Sequence, residues 1–439
     1  MSTTVPHELQ VEQQDEALDY PEGGPRAWGV VFGSCCVSFS VFGIINTSAV
    51  FESYFAEHQL RGESSSRVAW IFSVYLFLIY FIGLLVGPLF DRHGHRVLIL
   101  TASILAIVSP FILGFCSGNE LLHSIKRLIK TDCWKEYYQI FLTFAVLSGI
   151  AGSLMSTPSI AAVGHWFCKR RGLAVGVATS AGGIGGIIFP LILQVTLDRY
   201  GFAWSMRILG FILLLLALPP NLLIQTRLPR SQKFRSGWPD LRVFSDSKFA
   251  LCCCGIFLME YGVLIPLTYI VSYTSAHGHN ATQAYMFPAL LNTGSVVGRV
   301  IPGLVSDRLG RFNTMIITVG GCAVAVLALW LPNGKSEPML ISLAIILGFV
   351  SGGNVSLMPV CIGQLCDSRD YGRYLSGAML VAGFGTLTGI PIGGAILGNQ
   401  SSKEWLGLIL FSGLSYVVSV CCFIAARVLA VGWCLSVVY

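Results

Sequence analysis

The chain has 439 residues, 54% of them hydrophobic and only 11% charged, with a mean hydropathy of +0.71. Soluble domains carry about 25% charged residues, so this composition excludes a water-soluble globule and fits a chain built for lipid. The net charge of +6 is spread along the length and excludes a nucleic-acid binder, while most of the 14 cysteines sit inside apolar runs, where they read as small hydrophobes rather than a disulfide framework or metal set.

In chain order, the first predicted element is an acidic tail over residues 1–27. It carries Glu8, Glu12, Asp15, Glu16, Asp19 and Glu22, shows no apolar periodicity and no signal-peptide pattern, and is expected to be disordered and cytosolic. A membrane-spanning helix needs about 20 mostly apolar residues. Segments near 28–50, 68–90, 97–117, 137–159, 172–196, 204–225, 249–273, 284–305, 314–333, 338–360, 375–397 and 406–428 qualify. A weakly amphipathic insertion, 118–136, separates the third from the fourth. A basic linker, 226–248, containing "RLPRSQKFRSGWPDLR", separates the sixth from the seventh, and a short tail, 429–439, follows the last. The larger share of the 28 lysines and arginines falls on the linker's side of the membrane, which puts both tails in the cytosol. The expected fold class is an all-α membrane protein: twelve transmembrane helices in two pseudosymmetric six-helix bundles, 28–225 and 249–428. The expected setting is the plasma-membrane bilayer, with the protein a monomer.

Two motifs recur, once in each half. The first is Gly87, Asp91, Arg92 and Gly94 in "GLLVGPLFDRHGHR", and Gly303, Asp307, Arg308 and Gly310 in "GRVIPGLVSDRLGR", with Arg96 and Arg311 just beyond. Charge is tolerated at a membrane face, whereas a single Arg, Lys or Asp at the bilayer centre costs about 2.5–3.5 kcal/mol. Glycine permits close helix contact and tight turns. The second motif pairs "GLAVGVATSAGG" with "RYLSGAMLVAGF", aligning Gly176 with Gly377 and Gly182 with Gly383.

Two charges fall inside predicted spans. Arg299 lies in the eighth, about 7 Å to the cytosolic side of its midpoint. A guanidinium there either holds a carboxylate through two parallel hydrogen bonds or snorkels to the inner face and braces the Asp307 turn. Glu260 lies near the centre of the seventh, where an isolated carboxylate is protonated or paired. It is a candidate to titrate during transport, to pair with Arg299, or to stay neutral on a backbone carbonyl. Asn280 and Asn399 begin Asn-x-Ser/Thr sequons in predicted outer loops and are candidate glycosylation sites. No G-x4-GK[ST] sequence marks ATP use, and the spans hold no convergent His, Asp and Glu cluster that would mark an enzyme. No cofactor and no metal are expected.

Two like halves, with Asp-Arg-x-Gly after the second and eighth spans, resemble the major facilitator superfamily over residues 26–428. More narrowly, "PEGGPRAWGVVFGS" and "WFCKRRGLAVGVATSAGGIGG" resemble the first- and fifth-span motifs of the monocarboxylate porter family, in wording nearest its fungal branch. The resemblance implies a secondary transporter working by alternating access, with inverted three-helix repeats in each half. It implies that Asp91 faces the start of span eleven near Arg373, and Asp307 the start of span five near Lys169 to Arg171, where a helix dipole favours an anion. With Arg92, Arg96, Arg308, Arg311 and Arg373 these form an expected cytosolic gate. Arg299 matches the family's substrate-engaging arginine. Asn46 stands where the animal branch has a lysine, and Ser295 where it has an aspartate. Both therefore join Arg299 and Glu260 as candidate substrate or coupling positions, and proton–lactate symport of the animal kind is not expected. The implied cargo is a small organic acid or related amphipathic metabolite, with a proton as an open partner. Export of a fungal secondary metabolite, import of a monocarboxylate or vitamin-like nutrient, and a solute sensor that does not transport are the alternatives.

Overall fold

A computed structural model describes residues 20–61, 65–116, 136–227, 241–277, 281–331, 336–367, 370–398 and 401–432. Among these the regular structure is helical: α1 Pro25–Asn46, α2 Ser48–Glu57, α3 Ser65–His93, α4 Arg96–Cys116, α5 Glu136–Ile140, α6 Ser148–Gly164, α7 Arg171–Leu223, α8 Ser247–Ala276, α9 Ala281–Leu309, α10 Arg311–Val324, α11 Glu337–Ile362, α12 Tyr371–Leu397 and α13 Ser402–Val431. Wider π turns, Phe141–Leu147 and Ala325–Trp330, join α5 to α6 and extend α10. Residues 1–19 of the acidic tail, residues 118–135 of the 118–136 insertion, most of the linker, residues 433–439 of the last tail, Asn280 and Asn399 lie outside the described residues.

Among the described residues, ten helices are long and apolar enough to cross a membrane, where twelve are expected. The shortfall has two causes. Helix α7 runs for 53 residues but is broken at Gly201 (φ 71°, ψ 174°), so its two arms coincide with predicted spans five and six. Helix α9 has a spanning length of 29 residues, but Asn292, Arg299, Asp307 and Arg308 dilute its apolar content. Large apolar side chains such as Leu100, Leu215, Leu222, Ile317 and Val324 are exposed on the outside of the bundle, as a lipid-facing surface requires.

Local chemistry sets the other departures. Span one was expected to run to residue 50, but the helix breaks at Thr47. There Asn46, Thr47 and Ser48 each donate a side-chain hydrogen bond to a carbonyl three or four residues back, which competes with the helix ladder. At the other end of α1, residues 20–24 of the supposedly disordered tail form an ordered strap, in which the Glu22 amide donates to the Trp166 carbonyl at 3.2 Å.

Helices α1 to α7 form one bundle and α8 to α13 the other; α7 lies on α9, and α3 on α12, where the halves meet. Glu22, Asp91, Cys168, Asp307, Arg311, Gly372 and Arg427 come together at one end of the molecule, here called the inner end. Close approach at the seams depends on glycine. A Cβ on Gly87 would collide with the Gly372 carbonyl, one on Gly303 with the Gly172 carbonyl, and one on Gly176 with the Arg299 carbonyl. Gly377 differs from its partner Gly176: a Cβ there would meet only ordinary contacts at 3.6 Å, with Val243, Phe244 and Phe249 of its own half. Gly94 and Gly310 serve the turns rather than helix packing, at φ 83° and 97°, a region costly for any residue with a Cβ.

Candidate functional site

Two sets of side chains lie between the halves, one at the inner end and one at mid-depth. At the inner end, Asp91 in the last turn of α3 accepts from the backbone N–H groups of Gly372 (3.2 Å) and Arg373 (3.0 Å) at the start of α12. Asp307, in the last turn of α9, accepts from Gly172 (2.8 Å) and Leu173 (2.9 Å) at the start of α7. A helix begins with N–H groups that its own ladder leaves unpaired, and its dipole favours negative charge there. Each aspartate therefore makes two charge-assisted bonds across a seam between the halves.

Two arginines reinforce these contacts. Arg311 donates to the Cys168 carbonyl at 2.5 Å. Arg171, 1% exposed, donates to the carbonyls of Phe167 (3.2 Å), Gly164 (3.3 Å) and, in the other half, Gly363 (3.0 Å). Its guanidinium also lies 5.4 Å from the centre of the Tyr371 ring, a cation–π distance. At the sequence level Arg171 stands only as the last of the three cations near which Asp307 is expected, because nothing in three consecutive cations tells which is buried. Of the expected gate arginines, Arg373 is buried beside Asp91, whereas Arg92, Arg96 and Arg308 are exposed to solvent.

Two histidines lie within the same inner region, outside the spans. The His165 ring is 5.5 Å from that of Phe90, and its Nδ1 is buried without a partner. Burial, followed by the Arg171 and His95 charges, pushes its pKa down to about 3, so the ring is neutral. His95, 3.2 Å from the Thr226 hydroxyl, is also held below the usual histidine range, by burial first and by Arg96 second.

At mid-depth, Arg299 is buried. Its Nε donates to Ser295 Oγ at 3.2 Å and its Nη1 to the Thr179 carbonyl at 2.5 Å. The Phe42 ring lies 5.4 Å from the guanidinium, and Gly182 leaves the room: a Cβ there would sit 2.8 Å from Nη1. Asn46 turns back along α1 and donates to the Phe42 carbonyl at 2.8 Å, with its amide against Gly186. Glu260 on α8, in the same half as Arg299, faces α12, where a Cβ on Gly385 would lie 3.1 Å from its own Cβ. Of the three possibilities for Glu260, the ion pair with Arg299 is not formed. Arg299 instead engages Ser295 and Thr179, and Tyr80 of α3 lies near both Arg299 and Glu260. Tyr80 and Phe42 are the residues that sequence reading missed here; aromatics in apolar spans carry no signal of which way they face. Three other polar residues of the spans bond within their own half. Tyr261 bonds the Thr388 hydroxyl (2.8 Å) and Tyr269 the Ile390 carbonyl (2.9 Å), while Asn354 donates to Cys322 Sγ (3.3 Å). The central set can hold an anionic group on a desolvated guanidinium beside the Phe42 ring, with a carboxyl group close by.

Comparison with known proteins agrees with this architecture. The family model described as Major Facilitator Superfamily matches residues 30–339, and one described as Sugar (and other) transporter matches residues 254–430. The "Riboflavin transporter MCH5" of Saccharomyces cerevisiae is 32% identical, covering 98% of this chain and 84% of its own length. The "MFS-type transporter pynF" of Aspergillus niger is 36% identical over 88% of this chain and 85% of its own. The "Fujikurins efflux protein" of Gibberella fujikuroi is 33% identical over 93% and 84%. Among solved structures, a bacterial homologue of the iron transporter ferroportin in an outward-facing state shares the fold, with a TM-score of 0.70 at 16% identity over 92% of this chain and 100% of that one.

Proposed function

Because the chain belongs to the major facilitator superfamily of membrane transporters, we propose that it is a secondary transporter that exports a small organic acid or related amphipathic metabolite from a fungal cell by alternating access. In this reading it is a monocarboxylate porter of the fungal branch. The arms of α7 count as two spans and α9 as one, giving twelve, and the inner end faces the cytosol. The observation that carries the reading is the paired latch. Asp91 and Asp307 each cap a helix of the opposite half, so the inner seam is closed beneath a central arginine. Separating the halves would break all four bonds at once and open the centre to the cytosol.

In the centre, Arg299 engages the anionic group of the cargo, Ser295 and Asn46 orient the surrounding surface, and Glu260 is the group that exchanges a proton. Import of a vitamin-like nutrient is the second reading, favoured by the likeness to the riboflavin transporter.

Untargeted metabolite profiling of cells with and without the protein identifies the cargo and its direction. A metabolite that accumulates inside cells lacking the protein supports export, and one depleted inside them supports import. Counterflow of that metabolite in proteoliposomes is then expected to fall by about tenfold or more in Arg299→Ala, in line with loss of a buried charged contact, and to lose its pH dependence in Glu260→Gln. Binding without counterflow in the wild-type protein would make it a sensor.

A further inference from the structure

Beside the Asp307 latch lies a second carboxylate that alternating access does not by itself require. Glu22 belongs to the strap that precedes α1, and its side chain accepts from three consecutive backbone N–H groups: Cys168 (2.7 Å), Lys169 (2.7 Å) and Arg170 (3.0 Å). These are the amides just ahead of α7, in the turn leading to the two that Asp307 holds. Its own N–H donates to the Trp166 carbonyl, and Trp28, on the first turn of α1, meets Phe167 edge-on with ring centres 5.5 Å apart. Glu22 is held at φ 51°, and it is the one non-glycine residue with positive φ among the described residues. A side chain in that region is uncommon and persists where its surroundings determine it fully.

We propose that Glu22 is a positioning residue of the inner gate. It fixes the 166–170 turn so that the Gly172 and Leu173 amides meet Asp307 and the Cys168 carbonyl meets Arg311. The inference rests on the gating reading of Asp307 given above. Glu22 sits in the same half as α7, so it stays in place when the halves separate and frames the receptor rather than acting as the latch. Its negative charge also lies near enough to Asp307 to repel it, an effect of the opposite sign. The strap is partly exposed, where salt screens charge, whereas the three short bonds act on geometry. Positioning therefore outweighs repulsion.

The test uses the full-length protein in detergent with its native cysteines replaced and Ser376→Cys as the single reporter. Ser376 is 1% exposed and lies against Gly87 at the other seam, so its maleimide labelling rate reads separation of the halves. Glu22→Ala is expected to raise that rate about twofold to threefold, the low end for loss of a helix-start cap and no more than loss of the Asp307 charge itself. Glu22→Gln, which keeps an acceptor without the charge, is expected to raise it by less. In an Asp307→Asn background, Glu22→Ala is expected to add little, because the bond it prepares is already weakened. A wild-type rate in Glu22→Ala, a rate below wild type in Glu22→Gln, or a full additive effect beside Asp307→Asn would each overturn the proposal. If Glu22→Ala does not fold, the Glu22→Gln rate decides alone: faster supports the proposal, unchanged or slower overturns it. An Asp307→Asn protein that labels like wild type would bring down the gating reading itself, and the positioning role with it.

Discussion

Asp91 and Asp307 make the same pair of bonds in opposite directions across the molecule, yet the helix starts they hold are built differently. At α12, Asp91 and the two residues it bonds, Gly372 and Arg373, are all buried. At α7, Asp307 is half-buried, and its bonds belong to a wider clasp with Arg171, Arg311 and Glu22. One repeated motif thus gives a buried two-point contact at one seam and part of a multi-point contact at the other. The motif sets the bond; the surroundings set how much is lost when it goes.

A steric wedge tests this difference most severely. Gly303→Val would drive a side chain into the Gly172 carbonyl, and overpacking of this kind costs about 1–3 kcal/mol. Here backbone meets backbone and neither side has a rotamer to yield. The inner seam is expected to label at rest, as measured at Ser376→Cys, and counterflow to fall by about tenfold or more. Gly87→Val should do the same at the other seam. If one seam tolerates valine, the two are not equivalent in close packing.

Next in size is the loss of one latch charge. Asparagine keeps the shape but accepts through one oxygen, and a hydrogen bond to a charged group is worth about 1.5–3 kcal/mol. Asp91→Asn leaves a buried amide without its partner. Asp307→Asn leaves one at a half-exposed position that other contacts still support. Labelling at the inner seam should therefore rise by about tenfold for Asp91→Asn and by about threefold for Asp307→Asn. The reverse order would show that the clasp around α7 depends on Asp307 more than on its other members.

The smallest effect is confined to acid. His165 touches Phe90, next to Asp91, and lies close to Arg171 of the other contact. Its pKa is about 3 in the folded protein against roughly 6.5 when unfolded. The unfolded chain therefore takes up the proton first, and the stability that neutral His165 contributes above pH about 6.5 is lost as pH falls toward 3. That contribution falls by at most about 1.4 kcal/mol per pH unit. His165→Gln should leave Tm nearly unchanged at pH 7.5 and flatten its decline between about pH 6.5 and 4.5. An unchanged decline would mean that water already reaches the ring.

Much of this was legible from residue order. Hydropathy placed the helices to within a few residues, because lipid demands length and apolarity wherever the chain crosses. The doubled Asp-Arg-x-Gly motif, read through its family resemblance, pointed to the helix start that each aspartate meets. Arg171 and Glu22 were not legible. The carbonyl that Arg171 reaches in the other half lies 192 positions away, and the amides that hold Glu22 lie 146 to 148 positions away. Such partners exist only once the bundles have assembled. The central set was half legible for a related reason: a charge in a span announces itself, while Tyr80 and Phe42 look like any other aromatic until the helices take their rotation.

The corner at Gly201 bears on how the motion travels. Helix α7 begins at the Asp307 contact, turns at this single residue, and returns to the inner end, where Gln225 accepts from Trp166 Nε1 at 2.8 Å and Thr226 meets His95. Both feet of the hairpin stand on the same floor, and no slack loop joins its arms at the top. If the halves rock as proposed, a tilt at the feet swings the corner as a stiff lever, and an antibody fragment gripping residues near Gly201, at the end opposite the inner one, is expected to hold the transporter still without touching either the proposed cargo site or the proposed latches.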